Sequence, residues 1–206
     1  MSPSNRGRPP AFERDQAILG AARLFWRYGY SGTSTRALTA GLGLSTSSLY
    51  SAFGSKAGLF EEAVRNYAEH YREIYRQAVA ERDIADVIER VLLDSVLEFT
   101  QDTDSHPGCL ISSAAMADTT DTLDTKAYIA DLQDSNAEAL RARIDEAIRD
   151  GQLSSGTDPG ALTGLIQAVW HGLSAQSNLG VTRQELLETA RLAHGLIVQR
   201  LAPHAG

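Results

Sequence analysis

The chain has 206 residues, of which 43% are hydrophobic and 22% charged, and its formal net charge is −7. This composition is typical of a soluble globular protein, and the single cysteine excludes both an internal disulfide and a multi-cysteine zinc site. No apolar run approaches the roughly 18 residues of a membrane helix, and no secretory signal is recognised, so we expect a cytoplasmic protein without a membrane partner.

The charge is divided unevenly along the chain. Residues 1–56 contain seven Lys or Arg and two acids, a net charge of +5, whereas the remaining residues contain 12 basic and 24 acidic side chains, a net charge of −12. The sequence therefore predicts a small basic module joined to a larger acidic body. Because phosphate contacts supply much of the affinity for DNA, the charge of the module matters more than that of the whole chain.

Apolar residues recur at helical spacing throughout the chain, and no strand pattern is found. We therefore predict an all-α fold. The predicted helices cover residues 12–28, 34–41, 46–53, 56–79, 84–99, 109–117, 126–149, 161–177 and 183–201. We divide the chain into an N-terminal domain at 1–55 and a helical body at 56–206, with helix 56–79 as the link between them.

The segment 33–56 has the order of a helix-turn-helix, which places its second helix in the DNA major groove. Gly43 suits a left-handed turn, and Thr33 and Ser45 suit the caps of the two helices. Hydroxyl side chains on the second helix can bind phosphates and base edges, and Lys56 opens the next helix, where an anion is favoured. The candidate DNA-binding residues are Thr33, Ser34, Thr35, Arg36, Ser45, Thr46, Ser47, Ser48, Tyr50, Ser51 and Lys56, with Arg6 and Arg8 of an N-terminal arm that could enter a minor groove or be a solubilising tail.

Residues 12–67 resemble the DNA-binding domain of the TetR/AcrR family of bacterial transcription regulators. The matching residues are Tyr28-Gly29-Tyr30, Thr33-Ser34, Leu38, Gly43-Leu44-Ser45, Leu49-Tyr50, Phe53, Ser55-Lys56 and Leu59-Phe60. The resemblance implies an all-helical homodimer of about nine helices, usually a repressor without a cofactor, that binds a palindromic double-stranded operator. It also implies that a small effector binds the C-terminal domain and acts through the long fourth helix. Thr39, Gly41 and Gly58 depart from the family pattern and are expected to loosen the module slightly.

The last two helices resemble the dimerisation pair of the family, although they could also pack within their own domain. The candidate interface residues are Leu162, Ile166, Val169, Leu173, Leu186, Ala190, Ala193, Leu196 and Ile197. An effector pocket is expected between the central helices. Its candidate lining residues are Phe99, Cys109, Leu110, Met116, Ile129, Gln133, Asn136, Trp170 and His171.

Cys109 lies in a Gly-Cys-Leu context that resembles that of oxidant- or electrophile-sensing members of the family, and the alternative is a small buried hydrophobe. His106 and Cys109 are too few for a metal site, and the acidic series Asp118, Asp121, Asp124 resembles a solvated loop without calcium-loop spacing. An enzyme is disfavoured because no nucleophile elbow, phosphate loop or HExxH is present. A helical protein-interaction module would leave the basic N-terminal quarter unexplained.

Overall fold

The structure is a computed structural model that describes residues 11–100, 109–115 and 119–201. Within these residues it is all-helical and contains no strand, which confirms the predicted fold class. The helices are α1 (Ala11–Gly32), α2 (Thr35–Leu42), α3 (Thr46–Phe53), α4 (Lys56–Val79), α5 (Ile84–Phe99), α6 (Leu110–Ala115), a 3₁₀ turn (Thr120–Thr122), α7 (Leu123–Arg149), α8 (Pro159–Asn178) and α9 (Arg183–Leu201).

Helix ends differ from the predicted ones by a few residues, and the reasons are local. We predicted that Gly29 stops α1, but its left-handed backbone (φ 68°) makes a kink after which the helix resumes to Gly32. At the entrance to α8, two residues before the predicted span, Asp158 accepts hydrogen bonds from the amides of Gly160 and Ala161 (2.8 and 3.0 Å) and Pro159 follows it.

The basic module is a three-helix domain that closes against the start of α4. Phe25, Leu38, Leu49 and Phe60 contribute one fully buried side chain from each of the four helices. Phe60 packs edge-on against Phe25, with ring centroids 4.9 Å apart. Burial of such large apolar groups stabilises each side chain by roughly 1.5–3 kcal/mol, so α4 is an integral part of the module's core.

The same α4 continues into the body, where it packs against α5, α6 and α7. Tyr71 of α4 is fully buried and contacts the rings of Phe99 and Trp170, with centroids 5.8 and 5.5 Å away. The far end of α4 is fixed by the buried Arg143, whose guanidinium donates to the carbonyl oxygens of Glu81 and Arg82. One helix therefore carries side chains that are buried in both halves of the molecule.

Two glycines that we expected to loosen the module have close neighbours, but only one of these neighbours is immovable. A Cβ at Gly58 would lie 2.3 Å from the carbonyl oxygen of Phe53, and a Cβ at Gly41 would lie 2.9 Å from Cδ1 of Leu24. The carbonyl is backbone and cannot rotate away, whereas the leucine side chain can shift. Gly58 therefore permits the tight turn between α3 and α4.

We predict that Gly58→Ala lowers the free energy of unfolding by about 1–3 kcal/mol, because the added methyl group forces the Phe53 carbonyl out of place. Gly32→Ala is the matched control, since its Cβ would meet only the Cβ of Tyr28, at an ordinary 3.5 Å. Chemical denaturation measures both variants. Equal stability of Gly58→Ala and the wild type would contradict the close contact.

Candidate functional site

The helix-turn-helix is built by two serine caps and one left-handed glycine. Ser34 accepts a hydrogen bond from the amide of Ala37 (3.1 Å), and Ser45 accepts one from the amide of Ser48 (3.0 Å). Gly43 between the helices has φ 65° and ψ 25°, as its place in the turn predicts. Leu49 and Phe53 anchor α3 in the core, and its opposite face is exposed.

Thr33 does not belong to this exposed surface, which corrects two of our predictions. It is fully buried, and its hydroxyl lies 2.7 Å from the carbonyl oxygen of Gly29 and 3.2 Å from that of Leu24. The cap of α2 is Ser34, one residue later. Thr33 therefore satisfies carbonyl groups at the α1 kink and has no accessible donor for DNA.

The remaining predicted residues of the two helices lie at the surface and differ in how far their polar groups are engaged. Ser45 shares its hydroxyl with those of Ser47 and Ser48 (2.9 and 2.8 Å), so these three serines form a local network at the start of α3. Among the residues that the structure describes, the side chains of Thr35, Arg36, Thr46, Tyr50 and Ser51 have no hydrogen-bonding partner. These side chains are the ones available to an external ligand without loss of an internal bond.

Lys56 begins α4 beside this surface and is half-buried against an aromatic ring. Its ammonium nitrogen lies 4.1 Å from the ring centroid of Tyr30, within the range of a cation–π contact. Burial lowers the pKa of Lys56, and the negative charge of Asp121 opposes this effect. The ring contact fixes the ammonium beside Tyr30, at the N-terminal end of α4.

Tyr30 and Asp121 were not predicted as functional residues, although Tyr30 belongs to the Tyr-Gly-Tyr segment quoted above. The Tyr30 hydroxyl lies 3.3 Å from Oδ2 of Asp121 and donates to it. Burial, followed by the charge and hydrogen bond of Asp121, raises the pKa of Tyr30 to about 12, so its hydroxyl stays protonated near neutral pH. Asp121 is thus bonded to the module, not a purely solvated acid; Asp118 lies outside the described residues.

The basic charge of the module is not all available at the surface. Arg14 forms an ion pair with Glu62 (2.6 Å) and stacks 4.5 Å from the ring centroid of Phe53. Arg23 lines a groove of 960 Å³ that runs between α1 and the helix-turn-helix, where Ser48 and Ser51 also lie. Arg6 and Arg8, the predicted minor-groove arm, lie outside the described residues.

The predicted effector pocket is largely filled by the core. Phe99, Cys109, Leu110 and Ile129 are buried among other side chains, and Met116 lies outside the described residues. Gln133, Asn136, Trp170 and His171 do line a common cavity, together with Tyr71, Tyr75, Ile111, Leu132 and Gln167, but its volume is only 20 Å³. This is room for about one water molecule.

Cys109 is fully buried at the start of α6, in contact with α4 and α8. The hydroxyl of Tyr71 lies 3.2 Å from its Sγ, and its backbone amide donates to Oδ1 of Asn178 at 2.7 Å. Burial, with a further contribution from Cys109, raises the pKa of Tyr71 well above its usual range. The tyrosine is therefore a neutral hydrogen-bond donor to the sulfur.

Most of the predicted interface residues are already buried within the chain. Leu162, Ile166, Leu173, Leu186, Ala190 and Ile197 are at most 6% exposed, because α8 and α9 pack on each other and on α5. Val169 and Ala193 are half-buried, and Leu196 is 59% exposed. The exposed apolar face also includes Leu165 and Leu192, which are not among the candidate interface residues given above, and a groove of 640 Å³ runs between Leu165, Val169 and Leu196.

Two other classes of site are absent from the described residues. No group of three or more His, Cys, Asp or Glu side chains is placed to hold a metal ion. No helix in this part of the chain is long and apolar enough to cross a bilayer.

Both halves of the chain match models of known protein families. Residues 18–63 match the model described as bacterial regulatory proteins, tetR family, and residues 87–193 match the one described as tetracyclin repressor-like, C-terminal domain. The latter match alone covers half of the chain. The family of the body therefore agrees with the family indicated by the helix-turn-helix.

Individual relatives extend the likeness to nearly the full length. The chain is 29% identical to the HTH-type transcriptional repressor BdcR of Escherichia coli K12, over 91% of this chain and 90% of that protein. It is 25% identical to the HTH-type transcriptional repressor AcnR of Corynebacterium glutamicum, over 94% and 97% of the two chains.

A solved structure gives the same result for the three-dimensional fold. A cysteine mutant of the TetR family transcriptional regulator CifR, in complex with a 26-bp double-stranded operator DNA, superposes with a TM-score of 0.79. It is 33% identical to this chain, and the match covers 92% of this chain and 98% of that one. The protein belongs to the TetR family of transcription regulators, whose DNA-binding helix-turn-helix it carries in α2 and α3.

Proposed function

We propose that this regulator is a homodimeric repressor that binds an inverted-repeat operator in the cytoplasm and is released from it by a small effector. The observation that carries the proposal is the exposed face of α3, where Thr46, Tyr50 and Ser51 have polar groups without partners among the described residues. A helix with such a face enters the major groove, where hydroxyls bond phosphates and base edges and a threonine methyl can contact a thymine methyl.

Contacts to the phosphate backbone come from both sides of α3. Thr35 and Arg36 open α2, where free amide groups and the arginine side chain favour an anion. Lys56 opens α4 on the other side and supplies an ammonium group. Phosphates held at these two points fix the register of α3 in the groove, and α3 then distinguishes the bases.

Dimerisation accounts for the exposed apolar face of α8 and α9. The face includes Leu165, Leu192 and Leu196, each at least 50% exposed, and small residues such as Gly172 that allow a close approach. A two-fold interface buries the same face on both subunits. Two recognition helices related by that axis read two half-sites in inverted orientation.

The position of the small cavity supports release of the protein from DNA by an effector. Tyr71 and Tyr75 of α4 form one side of it, and Gln133, Asn136 and Gln167 provide neutral polar groups from α7 and α8. Partial burial lowers the pKa of His171, so this side chain is neutral near pH 7. A ligand larger than the 20 Å³ cavity must displace its walls, and displacement of α4 moves the DNA-binding module because α4 is part of both cores. The neutral lining favours an uncharged effector with hydrogen-bonding groups.

We predict that Lys56→Ala weakens operator binding about tenfold or more and lowers the slope of log K against log salt by about 1 per protomer. Tyr50→Phe should weaken binding a few-fold through a lost hydrogen bond, with little change in the slope. The operator is first selected in vitro from genomic fragments, and affinities are then measured at several salt concentrations.

Lys126→Ala, on the exposed surface of α7, is the control for these two variants. Unchanged binding by Lys56→Ala would contradict the phosphate contact, and selected fragments without an inverted repeat would contradict the dimeric reading of DNA.

The dimer is tested with Leu196→Glu, which places a charge on the exposed apolar face. We expect monomers in sedimentation and much weaker operator binding, because burial of an unpaired carboxylate costs several kcal/mol. Leu97→Glu, at a 45% exposed leucine of α5, should remain dimeric. A persistent Leu196→Glu dimer would mean that the interface lies elsewhere.

A second function, redox or electrophile sensing through Cys109, is favoured by one contact. The Tyr71 hydroxyl donates a hydrogen bond to Sγ of Cys109, so the sulfur lies directly against α4, the helix that continues from the DNA-binding module. A group added to this sulfur would have to fit among fully buried neighbours, including Leu110. Because close-packed cores do not absorb extra volume without rearrangement, modification would push against α4.

We predict that treatment with peroxide or a small electrophile releases the wild-type protein from its operator but not Cys109→Ser. Cys109 is the only cysteine of the chain, so the mass of the modified protein identifies the reacting thiol. Untreated Cys109→Ser should bind the operator like the wild type, which controls for folding. Equal release of both proteins would remove the cysteine from the mechanism.

A further inference from the structure

A carboxylate of the body reaches the DNA-binding module through one tyrosine. Asp121, in the 3₁₀ turn Thr120–Thr122 that precedes α7, accepts the hydrogen bond of the Tyr30 hydroxyl at 3.3 Å. Lys56 lies over the ring of the same tyrosine, 4.1 Å from its centroid. Tyr30 is buried against the rings of Phe25 and Phe60, so its position is fixed by the core of the module.

This arrangement brings opposite charges from the two halves of the molecule to a single side chain. Asp121 and Lys56 are 65 positions apart, and no acid of the described residues forms a direct ion pair with the lysine. The negative charge of Asp121 raises the pKa of Lys56, against the larger, lowering effect of burial. The carboxylate therefore acts on the ammonium through space, without a direct bond.

We propose that Asp121 competes with a DNA phosphate for the charge of Lys56, so that the position of the body sets the strength of this DNA contact. The proposal rests on the proposed function, in which Lys56 binds a phosphate. A phosphate next to Lys56 is attracted by the ammonium and repelled by the nearby carboxylate. Tyr30 keeps the carboxylate at this point for as long as the 3₁₀ turn stays against the module.

The 3₁₀ turn packs against α4 and α7, so its position depends on the helices that line the effector cavity. Displacement of α7 would carry Asp121 with it and change the electrostatic potential at Lys56. This coupling does not require that the recognition helix itself moves. It acts in addition to any change in the spacing of two recognition helices.

The test uses Asp121→Asn, which removes the charge but keeps an amide oxygen that accepts the Tyr30 hydrogen bond. We expect operator binding about three- to tenfold tighter at low salt, and the gain should shrink as salt rises because Asp121 is exposed. The control is Asp124→Asn, which removes an exposed acid three residues later, in the first turn of α7, and should change affinity less than about twofold. In a Lys56→Met background, Asp121→Asn should have no effect on affinity.

Three results would overturn the proposal. Asp121→Asn could leave affinity unchanged or weaken it, Asp124→Asn could give the same gain, or the gain could persist in Lys56→Met. The first would show that Asp121 only supports the structure, and the other two that the gain is a general effect of net charge. If Lys56→Met itself binds the operator as tightly as the wild type, the proposed phosphate contact fails as well. If only Lys56→Met weakens binding, that contact stands and the competition by Asp121 is wrong.

Discussion

The buried face of α4 is shared by two hydrophobic cores, and the rest of the structure depends on this sharing. Phe60 fills the core of the DNA-binding module, while Tyr71 and Tyr75 are buried in the body. Between them, Tyr67 contacts the ring of Trp26 from α1 on one side and that of Tyr71 on the other. A shift of α4 relative to either half would expose or misplace large aromatic groups, at a cost of several kcal/mol. The packing of α4 in the body and its packing in the module are therefore not independent of each other.

Charge adds a second connection at the edge of this packed face. Asp121 of the body is hydrogen-bonded to the hydroxyl of Tyr30, and the ammonium of Lys56 lies over the ring of the same tyrosine. One negative charge of the body therefore lies near the first residue of α4. The sequence already suggests a basic module and an acidic body, but the two are not simply separate in space. The acidic body is in a position to modulate the basic module directly, since one of its carboxylates is hydrogen-bonded to it.

Much of the fold could be predicted from the sequence because its signals are local. Gly43 and Ser45 specify the turn and the second helix of the helix-turn-helix through their own backbone and hydroxyl groups. Thr33 shows where this reasoning ends, since a threonine before a helix can cap it or turn inward to a carbonyl, and tertiary packing decides which. The same holds for α8, where Ile166 and Leu165 belong equally well to the apolar pattern of the helix. Only the structure shows that the former is buried and the latter exposed.

The contacts of the two tryptophans have a practical consequence for following this molecule in solution. Trp26 and Trp170 are the two tryptophans of the chain. Trp26 lies in α1 of the module against Tyr67, while Trp170 lies beside the small cavity of the body, with its indole nitrogen donating to the hydroxyl of Ser95 at 2.9 Å. Indole emission depends on polarity and hydrogen bonding around the ring. Replacement of one tryptophan by phenylalanine would leave a single tryptophan, in the body of one variant and in the module of the other. With the two variants, the arrival of an effector could be timed separately from the response at the DNA-binding end.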